Sequence, residues 1–175
     1  MRILVLFLTQ LVLWTLLAQL NHYLAPLHVS LFAGGLYIAF AALRHSLRSA
    51  LAVAILGGML CDAGSPPVWF GSHSVLIPHT LLFCLATAVV IRGRDRLPAG
   101  DTVTCALVAL LANLAFYLAF SVPALLRVPE PSAALGRLAV DLFCSEAFIL
   151  LAGPWFFALQ NRALALARTE APTLN

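Results

Sequence analysis

Apolar residues run in long stretches along this chain, separated by short clusters of arginine, proline, glycine and aspartate. The first stretch, 3–20, follows Arg2 directly and is broken by Asn21, His22 and Pro26. A second covers 27–43 and ends at Arg44-His45-Ser46-Leu47-Arg48. The third, 49–61, is short, about 20 Å of helix at about 1.5 Å per residue. Turn formers follow it: Asp62-Ala63-Gly64-Ser65-Pro66-Pro67, then Trp69-Phe70-Gly71. The fourth stretch, 74–91, stops at Arg92-Gly93-Arg94-Asp95-Arg96. Asp101 offers a cap for a fifth helix over 102–121, closed before Pro123. A sixth, 138–159, follows Arg127 and the segment Val128-Pro129-Glu130-Pro131. The pattern predicts one helical unit over 1–162 and a short tail, 163–175, with no internal repeat and no loop long enough to fold alone.

Composition says which solvent those helices meet. Of 175 residues, 62% are apolar and 10% charged, and the mean hydropathy is +0.99. Soluble domains are about half apolar and about a quarter charged, and one core of this size cannot bury so much apolar surface. About 108 apolar residues would fill five or six bilayer-crossing helices of about 20 residues each. A soluble enzyme, a nucleic-acid-binding domain and a disordered tail are excluded. The expected fold is an all-α polytopic membrane protein, a compact bundle of six transmembrane helices. The first stretch has the basic start of a signal peptide, but it is long for one and Leu17-Ala18-Gln19 is a poor cleavage site. We read it as a retained helix.

Charge then orients the bundle. All ten basic residues are arginine. With the N-terminus in the cytoplasm, Arg2, Arg44, Arg48, Arg92, Arg94, Arg96, Arg162 and Arg168 lie inside, and only Arg127 and Arg137 lie outside. That bias places both termini in the cytoplasm. Cys61, Cys84, Cys105 and Cys144 are far apart and mostly within apolar runs, so they read as small hydrophobes, with no metal site, redox motif or cofactor expected.

Ionisable groups within spans are costly, so each is a functional candidate. Asp62, at the end of the short third helix, reads as a carboxylate in an outer dip or as an interfacial aspartate bonding nearby backbone N–H groups. His79 and Glu146 fall at similar depths and are expected to meet, as a static helix contact ahead of a proton relay. Asp141, in the first turn expected for helix six, reads as interfacial, and Asn113 as an interhelical hydrogen bonder. Because Asp62, His79, Asp141 and Glu146 all fall in the outer half, a polar pocket opening outward is expected there. Small residues describe the packing: Ala50, Ala54 and Gly58 on helix three, and Ala109, Ala112, Ala115 and Ala119 on helix five. Gly153-Pro154-Trp155 should kink helix six and set an aromatic at the interface. There is no nucleophile paired with a base at fixed spacing, no HExxH, no P-loop and no glycine-rich phosphate motif. The chain reads as a non-enzyme.

The run Ala54-Ile-Leu-Gly-Gly-Met-Leu-Cys-Asp62, followed by Ser65-Pro66-Pro67 and Gly71, resembles the MreD family of bacterial rod-shape-determining membrane proteins. Pro154-Trp155 in the last helix, followed by a basic tail, is similar to the end of that family. The resemblance implies a non-enzymatic subunit of the cell-wall elongation machinery in the bacterial inner membrane. Implied partners are a periplasmic MreC-like protein, the MreB filament, the peptidoglycan synthases and membrane lipid. Asp62, Gly57, Gly58, Pro67 and Gly71 would then shape the outer dip. A different class, the substrate-binding S component of an energy-coupling-factor vitamin transporter, is also a small six-helix protein. Those commonly dock through an Ala-xxx-Ala pattern on the first helix, where 3–20 holds only Ala18. An integral membrane enzyme would need His79 and Glu146 as an acid–base pair.

Overall fold

The computed structural model describes residues 2–64, 79–98, 101–125 and 131–169, and every regular element within them is helical. In chain order these are α1 (Arg2–Leu24), a 3-10 turn (Ala25–Leu27), α2 (Gly34–Arg44), α3 (Leu47–Gly64), α4 (His79–Gly93), a second 3-10 turn (Arg94–Arg96), α5 (Thr102–Leu125) and α6 (Pro131–Thr169). Among the described residues three helical stretches, Arg2–Leu27, Thr102–Ser121 and Ser132–Ala167, are long and apolar enough to cross a membrane. Their outward faces are oily: Leu4, Val12, Leu111, Phe143, Leu151 and Trp155 all stand exposed. Water does not tolerate so many large apolar side chains on every side of a bundle, whereas lipid does.

The core is α2. Every residue from Gly34 to Ala42 is buried, and α2 packs on α3, α4, α5 and α6. This corrects the continuous helix expected over 27–43. The chain instead makes the 3-10 turn, passes through His28 in the left-handed region (φ 56°) and runs without helical pairing over residues 29–33. Hydropathy could not reveal the break, because Leu31, Phe32 and Ala33 are as apolar as the helix that follows.

Other boundaries move outward. α1 continues past Asn21 and His22 to Leu24, because the Asn21 side chain bonds to the backbone of another segment and leaves its own helix intact. α3 begins at Leu47, two residues before the expected start, and α5 continues through position 123 to Leu125. α6 starts at Pro131, where a fixed φ suits a first turn and no N–H is needed. It runs 39 residues, about 58 Å, so Arg137 and residues 160–169 belong to a helix and not to a loop and a tail. Pro154 lies inside this helix, which continues without interruption across the position of the expected kink.

Two glycines set helix distances. A Cβ on Gly35 would lie 1.9 Å from the carbonyl oxygen of Ala109, so α2 and α5 touch through bare backbone. A Cβ on Gly58 would lie 2.4 Å from the Thr80 Cα, which fixes the α3–α4 approach. Ala50 and Ala54, on the same stripe as Gly58, are fully buried. The stripe expected on α5 is corrected: Ala109 and Ala112 are buried, but Ala115 is exposed and Ala119 only half-buried. At about 100° per residue, position 115 turns away from the face that Ala109, Ala112 and Phe116 share.

Polar side chains gather at two levels. At one end Arg44 donates from Nη1 to Asn161 Oδ1 (2.7 Å), with its guanidinium 5.1 Å from the Phe40 ring centroid. There too Arg94 donates from Nη1 to the His45 carbonyl (2.6 Å). At the other end lie Asn21, Asp62, His79 and Asp141. Along α6 the step from Asp141 to Asn161 is about 30 Å, the thickness of a hydrocarbon core.

Candidate functional site

The Asp62 end contains two connected polar clusters. The first follows from the Gly58 contact, which brings the start of α4 against the last turn of α3. Asp62 Oδ1 accepts the His79 backbone N–H (2.7 Å) and the His79 ring at Nδ1 (2.8 Å). Its Oδ2 accepts the Thr80 hydroxyl (2.7 Å) and the Thr80 N–H (3.2 Å). A carboxylate only accepts, so Nδ1 carries the His79 proton. The first N–H groups of any helix lack internal partners, and here a neighbouring helix supplies the cap. Asp62 therefore bonds to backbone N–H groups, but those of α4 and not of a local turn.

The second cluster supports the irregular segment 29–33. Non-helical backbone at membrane depth persists only where protein groups satisfy it, and here three elements do so. Asp141 Oδ1 accepts the Ser30 N–H (2.9 Å). Asn21 bonds Leu31 in both directions, accepting its N–H (2.7 Å) and donating to its carbonyl (2.9 Å). Ser145 Oγ accepts the Phe32 N–H (3.0 Å) and sits 3.0 Å from the Tyr117 hydroxyl, which donates to the Ser30 carbonyl (3.4 Å). With Ser145 donating to Tyr117, each hydroxyl proton is used once.

Phe32 joins the two clusters. Its ring lies 5.7 Å from His79, 5.9 Å from Tyr117 and 6.1 Å from Phe120, centroid to centroid, and His79 is 4.6 Å from Phe120. The Asp62–His79 pair thus rests on an aromatic floor that continues into α5.

Several expectations change. The His79–Glu146 contact is corrected: His79 pairs with Asp62, while Glu146 Oε1 accepts from Asn113 Nδ2 (3.1 Å). Equal depth put the two residues at one level, but their elements differ, and the α5 side chains Phe120 and Tyr117 stand around Phe32 on that level. Asp141 is not interfacial in a first turn: α6 starts ten residues earlier, and Asp141 is 1% exposed. Gly57 faces Tyr37 and Gln10, below the Asp62 cluster. Pro67 and Gly71 lie outside the described residues.

Sequence reasoning missed Thr80, Ser30, Tyr117 and Ser145, and it took Asn21 for a helix breaker. Lone hydroxyls in apolar runs carry little signal, although Thr80 directly after the candidate His79 was the best available hint. It also missed two further buried contacts, where Gln10 donates to the Tyr37 carbonyl (2.8 Å) and Gln160 to Thr9 Oγ1 (3.3 Å).

Chemically, the arrangement holds helix ends in register. Four donors converge on Asp62, and five side-chain hydrogen bonds from Asn21, Asp141, Ser145 and Tyr117 engage five of the six backbone polar groups of residues 30–32. Beside Phe32 and Asn21 the described residues leave a cavity of about 110 Å³, lined also by Trp14, Leu17, Tyr37 and Cys61. Replacing Asn21 by leucine keeps the bulk but orphans both polar groups of Leu31, at a cost of about 2 kcal/mol. Chemical unfolding in detergent should show this as a lower midpoint.

Comparisons with protein-family models, with curated proteins and with solved structures each return no match to this chain.

Proposed function

We propose that this chain is a bacterial inner-membrane protein of six spans with both termini in the cytoplasm, and that it serves as a non-enzymatic scaffold subunit of the cell-wall elongation complex. Its partners on this reading are an MreC-like periplasmic protein, the MreB filament and the wall synthases. The observation that carries the scaffold reading is how the candidate polar residues are used. Asp62, His79, Asp141, Asn21 and Ser145 bond to each other or to backbone, and so stiffen one end of the bundle. Among the described residues, a stiffened end whose polar groups are mostly engaged, with Asp141 Oδ2 the buried exception, suits a docking platform. The motif around Asp62 and the Pro154-Trp155 pair supply the family resemblance. The separation of about 30 Å between the two polar levels supports all six helices crossing, with residues 29–33 lengthening the short α2.

Irregular backbone leading into a buried half-helix favours a second reading, a transporter's substrate-binding component, because such breaks host ligands in transport proteins. Among the described residues the cavity at the break holds about 110 Å³, against about 300 Å³ or more for a typical small-molecule site, and on that measure the scaffold reading stands first. Co-purification separates them. An MreC-like protein should be retained by the wild-type chain and retained less by Asp62→Ala. Recovery of an energy-coupling ATPase module in its place would reverse the order of the two readings.

A further inference from the structure

At the end opposite Asp62, Arg94 anchors two corners of the chain to each other. Its Nη1 donates to the carbonyls of His45 (2.6 Å) and Ala42 (3.5 Å), which fixes the end of α4 against the α2–α3 corner. The antiparallel register of α3 and α4 gives the same juxtaposition. With Gly58 against Thr80, Arg48 falls opposite about position 90, within one helical turn of Arg92. Arg48, Arg92 and Arg96 are all exposed, and none of them is ion-paired among the described residues. Arg44, by contrast, is engaged by Asn161 and Phe40.

Among the described residues the acids at this end are few. Asp95 is exposed between Arg94 and Arg96, and Asp101 spends Oδ1 on the Val103 N–H (3.1 Å) at the start of α5. Leu47, beside Arg48, is 49% exposed, and Leu97, beside Arg96, is 37% exposed. Guanidinium groups next to exposed leucines, at the depth where apolar helices end, match the boundary between phosphate and acyl chain in a bilayer. A polyanion in water would meet the arginines but would not need the leucines.

We propose that Arg48, Arg92 and Arg96 form a binding site for the phosphate groups of anionic phospholipids, on a corner that Arg94 holds together. The site rests on the chain lying in a membrane but not on its role in wall elongation. Guanidinium and phosphate pair by charge and by paired N–H donors. Each arginine near an anionic surface contributes about fivefold to partitioning, so removing three predicts a loss on the order of a hundredfold.

The test uses the full chain in nanodiscs containing equal parts of phosphatidylglycerol and phosphatidylcholine. Native mass spectrometry reads which lipid stays bound. The wild type should retain phosphatidylglycerol preferentially, and the combined Arg48→Gln, Arg92→Gln, Arg96→Gln variant should lose that preference. The corresponding triple lysine variant, which keeps the charge, should retain most of it. Arg94 is untouched in all three, and equal thermal midpoints in phosphatidylcholine alone would show that the fold is intact. If the glutamine variant is unstable there, the lysine variant and competition by inorganic phosphate decide the matter. Unchanged preference in the glutamine variant overturns the proposal, as does displacement of the lipid by inorganic phosphate. So does loss of a captured cytoplasmic protein with lipid retention unchanged. A chain that binds the lipid but has no effect on wall growth would refute the scaffold role alone.

Discussion

Replacing Gly35 by alanine is expected to destabilise the bundle by about 2–3 kcal/mol, near the upper end of ordinary overpacking costs. The added methyl would sit 1.9 Å from the Ala109 carbonyl oxygen and within 2.9 Å of two further backbone atoms, so no side-chain rotation relieves it. α2 must move away from α5, and every residue of α2 from Gly34 to Ala42 is part of the core that would loosen. The control is Gly136→Ala in α6, where a new Cβ meets nothing within 4 Å. That change should be neutral or stabilise by up to about 1 kcal/mol, since alanine is the better helix former. Unfolding midpoints of the two variants in the same detergent check the contrast.

Asp62→Ala is expected to cost about 3 kcal/mol. It removes all four hydrogen bonds to the carboxylate and leaves the first two N–H groups of α4 without a cap. The cost stays below that of a fully buried charge because Asp62 is 31% exposed and water replaces part of what is lost. Asp62→Asn should fall between, since an amide oxygen still accepts an N–H while the charge is gone. Hydrogen exchange should localise the effect, with faster exchange at residues 79–83 and little change in α6. If exchange rises evenly over the whole chain, the carboxylate does not act as the cap of α4.

What the sequence made legible was the part of the fold that depends on composition. Helix locations follow from apolar runs bounded by arginine, and α1, α3 and α5 lie where those runs predict, with ends displaced by a few residues. The break before α2 was not legible, since its backbone is satisfied by Asn21, Asp141, Ser145 and Tyr117, residues between 10 and 113 positions away in the chain. The same limit explains the wrong partner given to His79. Depth along a helix can be counted from sequence, but which helix faces which is decided by contacts such as Gly58 on Thr80. Asp62 and His79 could each be singled out as costly in a membrane. That they offset each other's cost became visible only when α3 and α4 were placed side by side.

The proposed scaffold role is tested most directly by depleting the protein in its native host while following new wall material with a fluorescent peptidoglycan precursor. Rounding of the cells with loss of side-wall incorporation, reversed by the wild-type chain, is the predicted result. Cells that keep their shape and their side-wall labelling after depletion would contradict it.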